Sequence, residues 1–178
     1  RVCCGSNASN WGWQEWRNGG ECDVVVQAPI RLLIVDDQAL VRGALGALLD
    51  LEADLHTAGT AANADEAVQQ PIELAPDVCL MDIQMPGDDG ILATKRVREA
   101  NPGTRVLVVT TFARPGDLGA AVDAGAGGFS VKGAAPEQLA DAVRRVHAGL
   151  RVVDPALAEA SLFEGANPLT ERERQVLR

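Results

Sequence analysis

Short apolar runs alternate along the chain with longer segments in which apolar residues recur every three or four positions. The clearest runs lie at residues 30–36, 77–82 and 105–110. They are short and continuous, as is typical of strands that are buried on both faces. Weaker patterns of the same kind predict short strands at residues 55–61 and 128–132. The pattern therefore predicts five strands, separated by segments with helical periodicity.

The helical segments complete a regular alternation of strands and helices. They are predicted at residues 38–50, 63–74 and 90–100, in a stretch after residue 117 that stops at Gly125, and at residues 136–148. Such an alternation indicates a parallel sheet with helices on both faces, and the right-handed crossover rule leaves few topologies. We predict an α/β, flavodoxin-like (βα)5 fold, a doubly wound parallel sheet with strand order 2-1-3-4-5. Its switch point lies between strands 1 and 3.

Two helices have a clear apolar face, and one contains a proline. In the last helix the apolar positions are Leu139, Ala142, Val143 and Val146, and in the first they are Leu40, Val41, Ala44, Leu45 and Leu48. We expect these positions to face the sheet. Pro71 falls inside the second predicted helix, where it should kink or end the helix.

Composition limits the classes of function. The 178 residues are 47% hydrophobic, enough for one α/β domain with some extra chain. No run of 18 apolar residues occurs, so we predict no membrane span. The net charge of −9 and the pI of about 4.7 do not favour phosphate backbones, so these residues by themselves are not expected to bind DNA.

The cysteines and tryptophans are concentrated before the first strand. Cys3, Cys4 and Cys22 fit neither a zinc pattern nor a closed disulfide framework, which favours the reducing cytoplasm, and Cys79 is expected to be a small buried hydrophobe. Residues 1–29 also lack the pattern of a signal peptide. We expect a flexible leader or tag-derived segment there. A partner-binding arm with exposed tryptophans is the alternative.

Polar side chains stand at the carboxyl ends of four predicted strands. These are Asp36 and Asp37 after the first strand, Asp82 after the third, Thr110 on the fourth and Lys132 on the fifth. Each has an ordinary interpretation by itself: a helix N-cap, a turn residue, a β-branched strand residue or a surface lysine. Together they are better explained as one site, because the carboxyl ends of parallel strands meet at one edge of the sheet.

Such a group of side chains indicates a particular chemistry. Three carboxylates in one crevice repel each other and need a cation, and Mg²⁺ prefers oxygen ligands and few carboxylates. A carboxylate beside Mg²⁺ can attack a phosphoryl donor, and a hydroxyl and an ammonium can then bind the phosphoryl oxygens. A Walker-type glycine loop does not occur in the sequence, so direct ATP binding is not supported.

Residues 30–150 resemble the receiver domain of bacterial two-component response regulators. The resemblance is carried by the acidic pair Asp36-Asp37, the segment MDIQMPGDDG at residues 81–90, the strand end VTTF at 109–112 and the segment AGAGGFSVK at 124–132. A second, shorter resemblance places the opening of a LuxR-type helix-turn-helix at residues 168–177, where Thr170 and Glu173 form a capping box. The region of Phe112, the helix end at His147, Ala148 and Gly149, and the position of the linker resemble the NarL/LuxR branch of the family.

The resemblance implies a role for each residue of the predicted site. Asp82 would be the phosphoacceptor, and Thr110 and Lys132 would bind the phosphoryl group. Mg²⁺ would be held by Asp37, Asp82 and the backbone carbonyl of Gln84, with Asp36 acting directly or through water. Phe129 falls at the aromatic switch position of the family, although a plain core aromatic explains it equally well.

The implied organisation has four parts. Residues 1–29 precede the receiver domain at 30–150, a linker with short helical pieces follows at 151–167, and 168–178 are the truncated start of a DNA-binding domain. DNA would be bound only through the missing part of that domain. The resemblance also implies a sensor histidine kinase as partner, a homodimer on phosphorylation and no membrane association.

Three positions depart from the family pattern. Pro71 interrupts the second helix, Gly133 replaces an acidic residue that often follows the lysine, and ARPG at residues 113–116 is an unusual start for the fourth helix. The last departure lies in the segment that the family moves on phosphorylation.

Three functions compete. The first is a phosphoryl-accepting receiver that controls transcription and is not an enzyme. The second is a receiver-like dimerisation or binding module that is not phosphorylated. The third, a Mg²⁺-dependent phosphatase with an aspartyl nucleophile, ranks last because the position that needs a general acid, two residues after Asp82, is Gln84.

Overall fold

The computed structural model describes residues 28–85, 88–114, 116–155 and 157. In chain order its elements are β1 (Ile30–Val35), α1 (Ala39–Leu49), β2 (Leu55–Ala61), α2 (Ala64–Leu74), β3 (Val78–Met81), β4 (Gln84–Met85), β5 (Asp88–Asp89), α3 (Gly90–Ala100), β6 (Arg105–Thr110), α4 (Asp117–Asp123), β7 (Gly128–Val131), α5 (Pro136–His147) and β8 (Val152–Val153). None of the helices in these ranges has the length and apolar character that a membrane span needs. The expectations for residues 1–27, for most of the linker (residues 156 and 158–167) and for the helix start at 168–178 lie outside the described residues.

Six strands form one parallel sheet in the order β2-β1-β3-β6-β7-β8. The predicted flavodoxin-like order is confirmed, with β6 and β7 as its fourth and fifth strands. The two short strands β4 and β5 form a separate antiparallel hairpin just after β3. The sheet thus brings β1 and β3 side by side at its switch point, where open α/β sheets bind ligands.

β8 is an addition that the sequence does not predict. It pairs in parallel with β7, and the amides of Val152 and Asp154 donate to the carbonyls of Gly127 and Phe129 at 3.2 and 3.0 Å. The linker predicted from residue 151 therefore begins with an edge strand. A two-residue strand has too little pattern to be recognised without its neighbour.

The register of the sheet aligns the strand ends that carry polar residues. Val35 of β1 is the partner of Met81 of β3, so the next residue of each strand, Asp36 and Asp82, also lie side by side. The Asp82 amide extends the ladder by donating to the Val35 carbonyl at 2.9 Å. Between β6 and β7, the backbone amide of Lys132 donates to the Thr110 carbonyl at 2.8 Å.

The strands are buried on both faces, as their continuous apolar runs predict. Side chains alternate between two clusters: Leu33, Val35, Cys79, Met81, Val106, Val108 and Phe129 on one face, and Leu32, Ile34, Val78, Leu80, Leu107 and Val109 on the other. Each fully buried Leu, Val or Met contributes roughly 1.5–3 kcal/mol relative to an exposed one. This rigid double-sided core holds the strand ends in place.

The predicted apolar face is confirmed for α5 and only partly for α1, where Leu45 packs against the core. Leu139, Ala142, Val143 and Val146 are all buried in the core. In α1, however, Leu40 is 85% exposed and Leu48 is 42% exposed. The helix instead buries Gly46 and Leu49. A Cβ at position 46 would meet Ile34 and Thr57 at about 3.5 Å, so the smallest residue marks the closest approach of α1 to the sheet.

Pro71 does not end the second helix, because α2 continues to Leu74, and the alternative of a kink stays a prediction. A proline lacks the N–H that would donate to the carbonyl of Ala67, and its ring crowds that carbonyl; together these effects cost about 3 kcal/mol in a helix interior. Tertiary contacts hold the helix on both sides of this position. Ala67 is fully buried, and Arg31 donates to the Leu74 carbonyl at 2.8 Å. After Leu74 the helix stops at Ala75, whose φ is 43°.

Candidate functional site

The five side chains predicted at the strand ends do meet at one edge of the sheet. Asp36, Asp82 and Thr110 are almost completely buried, with relative exposures of 1%, 3% and 0%. Asp37 and Lys132 are partly buried beside them. Burying a polar or charged group costs free energy unless the group is hydrogen-bonded or paired with an opposite charge. The partners of these five side chains therefore indicate which ligands the site can bind.

Lys132 lies between two of the carboxylates. Its Nζ is 2.5 Å from Oδ2 of Asp36 and 2.8 Å from Oδ2 of Asp82. Burial alone would lower the pKa of Lys132, but the hydrogen bonds and the charges of Asp36 and Asp82 together outweigh it and raise the pKa. The ammonium therefore stays charged at neutral pH and links the ends of β1, β3 and β7.

The carboxylates outnumber the cation that pairs with them. Asp36, Asp37 and Asp82 each offer an oxygen within 4.8 Å of the others, and Lys132 is the one cation paired with these oxygens among the described residues. Oδ1 of Asp37 is buried and has no hydrogen-bond partner in the described part of the chain. The site therefore has more negative than positive charge, and it offers carboxylate oxygens, one of them buried without a partner. These are the properties of a binding site for a hard divalent cation.

The ordinary roles considered for the two buried aspartates are compatible with this site. Asp36 is not the N-cap of α1, since Gln38 occupies that position, but its Oδ1 accepts from the Gln38 amide at 2.9 Å. Asp82 turns the chain in the same way, accepting from the amide of Gln84 on Oδ1 at 3.2 Å. These local hydrogen bonds use Oδ1 of each aspartate and leave Oδ2 of each facing Lys132.

Thr110 reaches the edge, but its hydroxyl is used within the next loop. Oγ1 donates to the carbonyl of Phe112 at 3.0 Å and lies 3.3 Å from the Phe112 amide. The Gln84 side chain donates to the same carbonyl at 2.8 Å. The sequence points to the backbone carbonyl of Gln84 but not to its side chain, because a loop-to-loop hydrogen bond has no sequence pattern.

Gly90 packs directly against the backbone of Asp82. A Cβ at this position would lie 2.0 Å from the Asp82 carbonyl oxygen and 2.5 Å from Cα of Ile83. α3 starts at Gly90, after the N-cap Asp89, and the buried hydroxyl of Thr94 donates to the Gly90 carbonyl at 2.8 Å. The first turn of α3 thus packs against the backbone that carries the Asp82 side chain. Its sequence signal is a glycine at the predicted helix start, four residues after a Met-Pro pair.

The two phenylalanines near the site differ in environment. Phe129 is 1% exposed and packs in the core with Ala121 and Ala126, whereas Phe112 is 68% exposed. A buried Phe129 agrees with the core interpretation, and its role as a switch stays a prediction. At the unusual start of α4, the Arg114 amide donates to Asp117 at 2.7 Å, and Gly116 precedes the helix with a φ of 88°.

Comparison with known proteins agrees with this geometry. The model of the response regulator receiver domain family matches residues 32–144. An uncharacterized transcriptional regulatory protein, YvfU of Bacillus subtilis (strain 168), is 44% identical over 149 residues, 84% of this chain and 74% of YvfU. The transcriptional regulatory protein DesR of the same organism is 42% identical over 148 residues, 83% of this chain and 73% of DesR.

Solved structures give the same result. The crystal structure of a LuxR-family two-component response regulator from Aurantimonas sp. SI85-9A1 superposes with a TM-score of 0.73 at 30% identity, covering 79% of this chain and all of the other. The signal receiver domain of the response regulator NarL from Mycobacterium tuberculosis gives a TM-score of 0.65 at 30% identity, covering 68% of this chain and 98% of that domain. The chain belongs to the response regulator receiver domain family.

Proposed function

We propose that this receiver accepts a phosphoryl group on Asp82 from a sensor histidine kinase and thereby controls an attached DNA-binding domain that regulates transcription. The observation that carries the proposal is the environment of Asp82: a buried carboxylate 2.8 Å from the ammonium of Lys132, with oxygens of Asp36 and Asp37 within 4.8 Å. The relatives are transcriptional regulatory proteins, which supports an output in gene control rather than catalysis.

The transfer itself is a displacement at phosphorus. An oxygen of Asp82 forms a bond to phosphorus while the bond from phosphorus to an imidazole nitrogen of the kinase histidine breaks. The nitrogen keeps the electron pair of that bond and takes a proton from solvent. Mg²⁺ held by Asp37, Asp82 and the backbone carbonyl of Gln84, with Asp36 acting directly or through water, would compensate the charge of the phosphoryl oxygens.

Residues of the chain itself can hold the product. Lys132 already lies 2.8 Å from Asp82 and keeps its charge, so it can pair with a phosphoryl oxygen. The Thr110 hydroxyl can donate to another oxygen once it leaves the Phe112 carbonyl. That exchange changes the loop after β6 and gives a local event from which a surface change can start.

The remaining parts of the proposal come from the sequence and the family. We place the protein in the cytoplasm, where the phosphorylated histidine of a sensor kinase would be available, and expect it to form a homodimer on phosphorylation. Residues 168–178 would begin the DNA-binding domain, and residues 1–29 would be a leader or tag-derived segment.

The test is intact-protein mass spectrometry after incubation with Mg²⁺ and acetyl phosphate. We expect one added phosphoryl group in the parent, none in Asp82→Asn, and one in Asp141→Asn, which changes an exposed aspartate on α5. Labelling of Asp82→Asn to the parent level would refute the assignment of the phosphoacceptor. A parent that stays unlabelled with its fold intact would favour a receiver-like binding module that works without phosphorylation.

A further inference from the structure

In the part of the chain that the structure describes, one hydrogen bond joins the hairpin that follows Asp82 to the loop that follows Thr110. Nε2 of Gln84, in β4, donates to the carbonyl oxygen of Phe112 at 2.8 Å, across 28 positions of sequence. The backbone of Gln84 is tied to the site as well, because its amide donates to Oδ1 of Asp82. One residue therefore contacts both the predicted phosphoacceptor and the loop at residues 111–116.

Among the described residues, that loop has no other long-range hydrogen bond. The other hydrogen bonds described for residues 111–116 are local, joining Phe112 to Thr110, Arg114 to Asp117, and Gly116 to Ala120. The side chain of Phe112 is 68% exposed, whereas Ala113 is partly buried and packs against the core, so apolar packing holds the loop at Ala113 but not at Phe112. Because other long-range hydrogen bonds are not described for this loop, the Gln84 bond has a large share in setting the position of Phe112.

The same carbonyl is also the acceptor for Thr110. A carbonyl oxygen has two lone pairs, and here one accepts from the Gln84 amide and the other from the Thr110 hydroxyl, at 2.8 and 3.0 Å. When the hydroxyl turns to a phosphoryl oxygen, the carbonyl is still satisfied by Gln84 as long as the loop stays where it is. A loop that moves away must also break the Gln84 bond.

We propose that Gln84 is a positioning residue whose amide retains the loop at residues 111–116 in its unphosphorylated position and so opposes the response of that loop to phosphorylation at Asp82. This inference rests on the proposed function. A hydrogen bond between an exposed amide and a carbonyl is expected to bias the two loop positions by about two- to fivefold. Removing it should shift the resting protein toward the phosphorylated arrangement.

The test uses two variants without this bond and a matched control. Gln84→Met keeps the side-chain length without the donor, and Gln84→Asn keeps the amide but is one methylene too short. Gln70→Met removes a comparable bond elsewhere, since Nε2 of Gln70 donates to the Thr60 carbonyl at 2.8 Å between α2 and β2. Amide NMR spectra of the full chain are recorded with Mg²⁺ during titration with beryllofluoride, a phosphoryl mimic.

Two readouts distinguish positioning from a merely structural role. In both Gln84 variants, the resting amide signals of residues 111–114 should move along the line toward their beryllofluoride-bound positions. Half-saturation with beryllofluoride should need about two- to fivefold less of the mimic. Gln70→Met should match the parent in both measurements. A structural role alone would displace the signals off that line and leave half-saturation unchanged.

The outcomes separate this inference from the function on which it rests. A parent that responds to beryllofluoride, with Gln84 variants that respond identically, overturns the role of Gln84 and leaves the receiver function standing. A parent that shows no Mg²⁺-dependent response overturns the phosphoryl-accepting function, and the role of Gln84 with it. Signal shifts in the opposite direction would mean that Gln84 assists the response, which also contradicts the proposal.

Discussion

The contact between Gly90 and Asp82 gives a sharp prediction for the substitution Gly90→Ala. The added Cβ would lie 2.0 Å from the Asp82 oxygen, 2.5 Å from Cα of Ile83 and 2.9 Å from the Asp82 carbonyl carbon. All three are backbone atoms, so no side chain can rotate away. Since nonbonded heavy atoms pack at roughly 3.5 Å, α3 and the chain at Asp82 must separate by roughly 1 Å or more.

Two magnitudes follow from that displacement. Overpacking of a rigid core costs about 1–3 kcal/mol, and a clash with fixed backbone places Gly90→Ala at the upper end of this range. A misplacement of about 1 Å at a reacting group can lower a rate on the order of 100-fold. We therefore expect a folded but less stable protein that is phosphorylated far more slowly by acetyl phosphate than its stability loss would explain.

The control is Gly43→Ala, in the exposed part of α1, where the described structure places no atom within 4 Å of the added methyl group apart from the adjoining residues and backbone of its own helix. Alanine in a helix is favoured over glycine by about 0.5–1 kcal/mol, so this variant should gain stability and keep the parent rate. Urea unfolding followed by circular dichroism and time-resolved mass spectrometry give the two quantities. A Gly90→Ala protein within about 0.5 kcal/mol of the parent, labelled at the parent rate, would refute the reasoning.

Two further predictions concern residues away from the site. Arg144 of α5 binds Asp54 through two hydrogen bonds of 2.8 and 2.7 Å and Glu52 through one of 2.6 Å, and the bond from Arg144 lowers the pKa of Asp54. A lowered folded-state pKa stabilises the protein above the unfolded pKa, and this stabilisation is lost as the pH falls through the folded value. Arg144→Met should therefore lower the free energy of unfolding by up to about 1 kcal/mol at pH 7, because the pair is exposed. The loss should become smaller below a pH of about 4, where Asp54 is protonated in the unfolded chain. Equal losses in urea unfolding at pH 7 and below a pH of about 4 would contradict this reasoning. Burial raises the pKa of the Cys79 thiol to about 12, so iodoacetamide should alkylate Cys79 only after denaturation, and peptide mass spectrometry showing fast alkylation of the folded protein would be the contrary result.

Much of the site could be predicted because it depends on strand order rather than on side-chain detail. Once crossovers are right-handed, the strand order places Asp36 beside Asp82, and Thr110 and Lys132 follow on the next strands. The chemistry of three carboxylates and an ammonium then follows from residue type alone. The strand ends do bring these groups together, and Lys132 pairs with both Asp36 and Asp82, a contact that the strand order alone does not predict.

The features that could not be predicted all depend on how distant backbones approach each other. The apolar positions of α1 allow two faces, and the packing of Gly46 on Ile34 and Thr57 selects the one that leaves Leu40 in solvent. Pro71 is a local helix breaker that tertiary contacts override. The Gln84 bond to Phe112 depends on a loop position that no periodicity encodes.

The edge strand β8 has a consequence for where this domain can be divided. Its amides cover the carbonyls of Gly127 and Phe129, which would otherwise lie on the open edge of the sheet. A fragment ending at Gly149, where the helical pattern stops, would leave those carbonyls unpaired beside an apolar strand, and such an edge is a template for self-association. The smallest fragment that keeps the edge of β7 paired therefore extends to Asp154, several residues beyond the boundary that periodicity alone suggests. An oligomer that forms only with the shorter fragment would therefore result from the exposed edge of β7 and not from the signalling state of the protein.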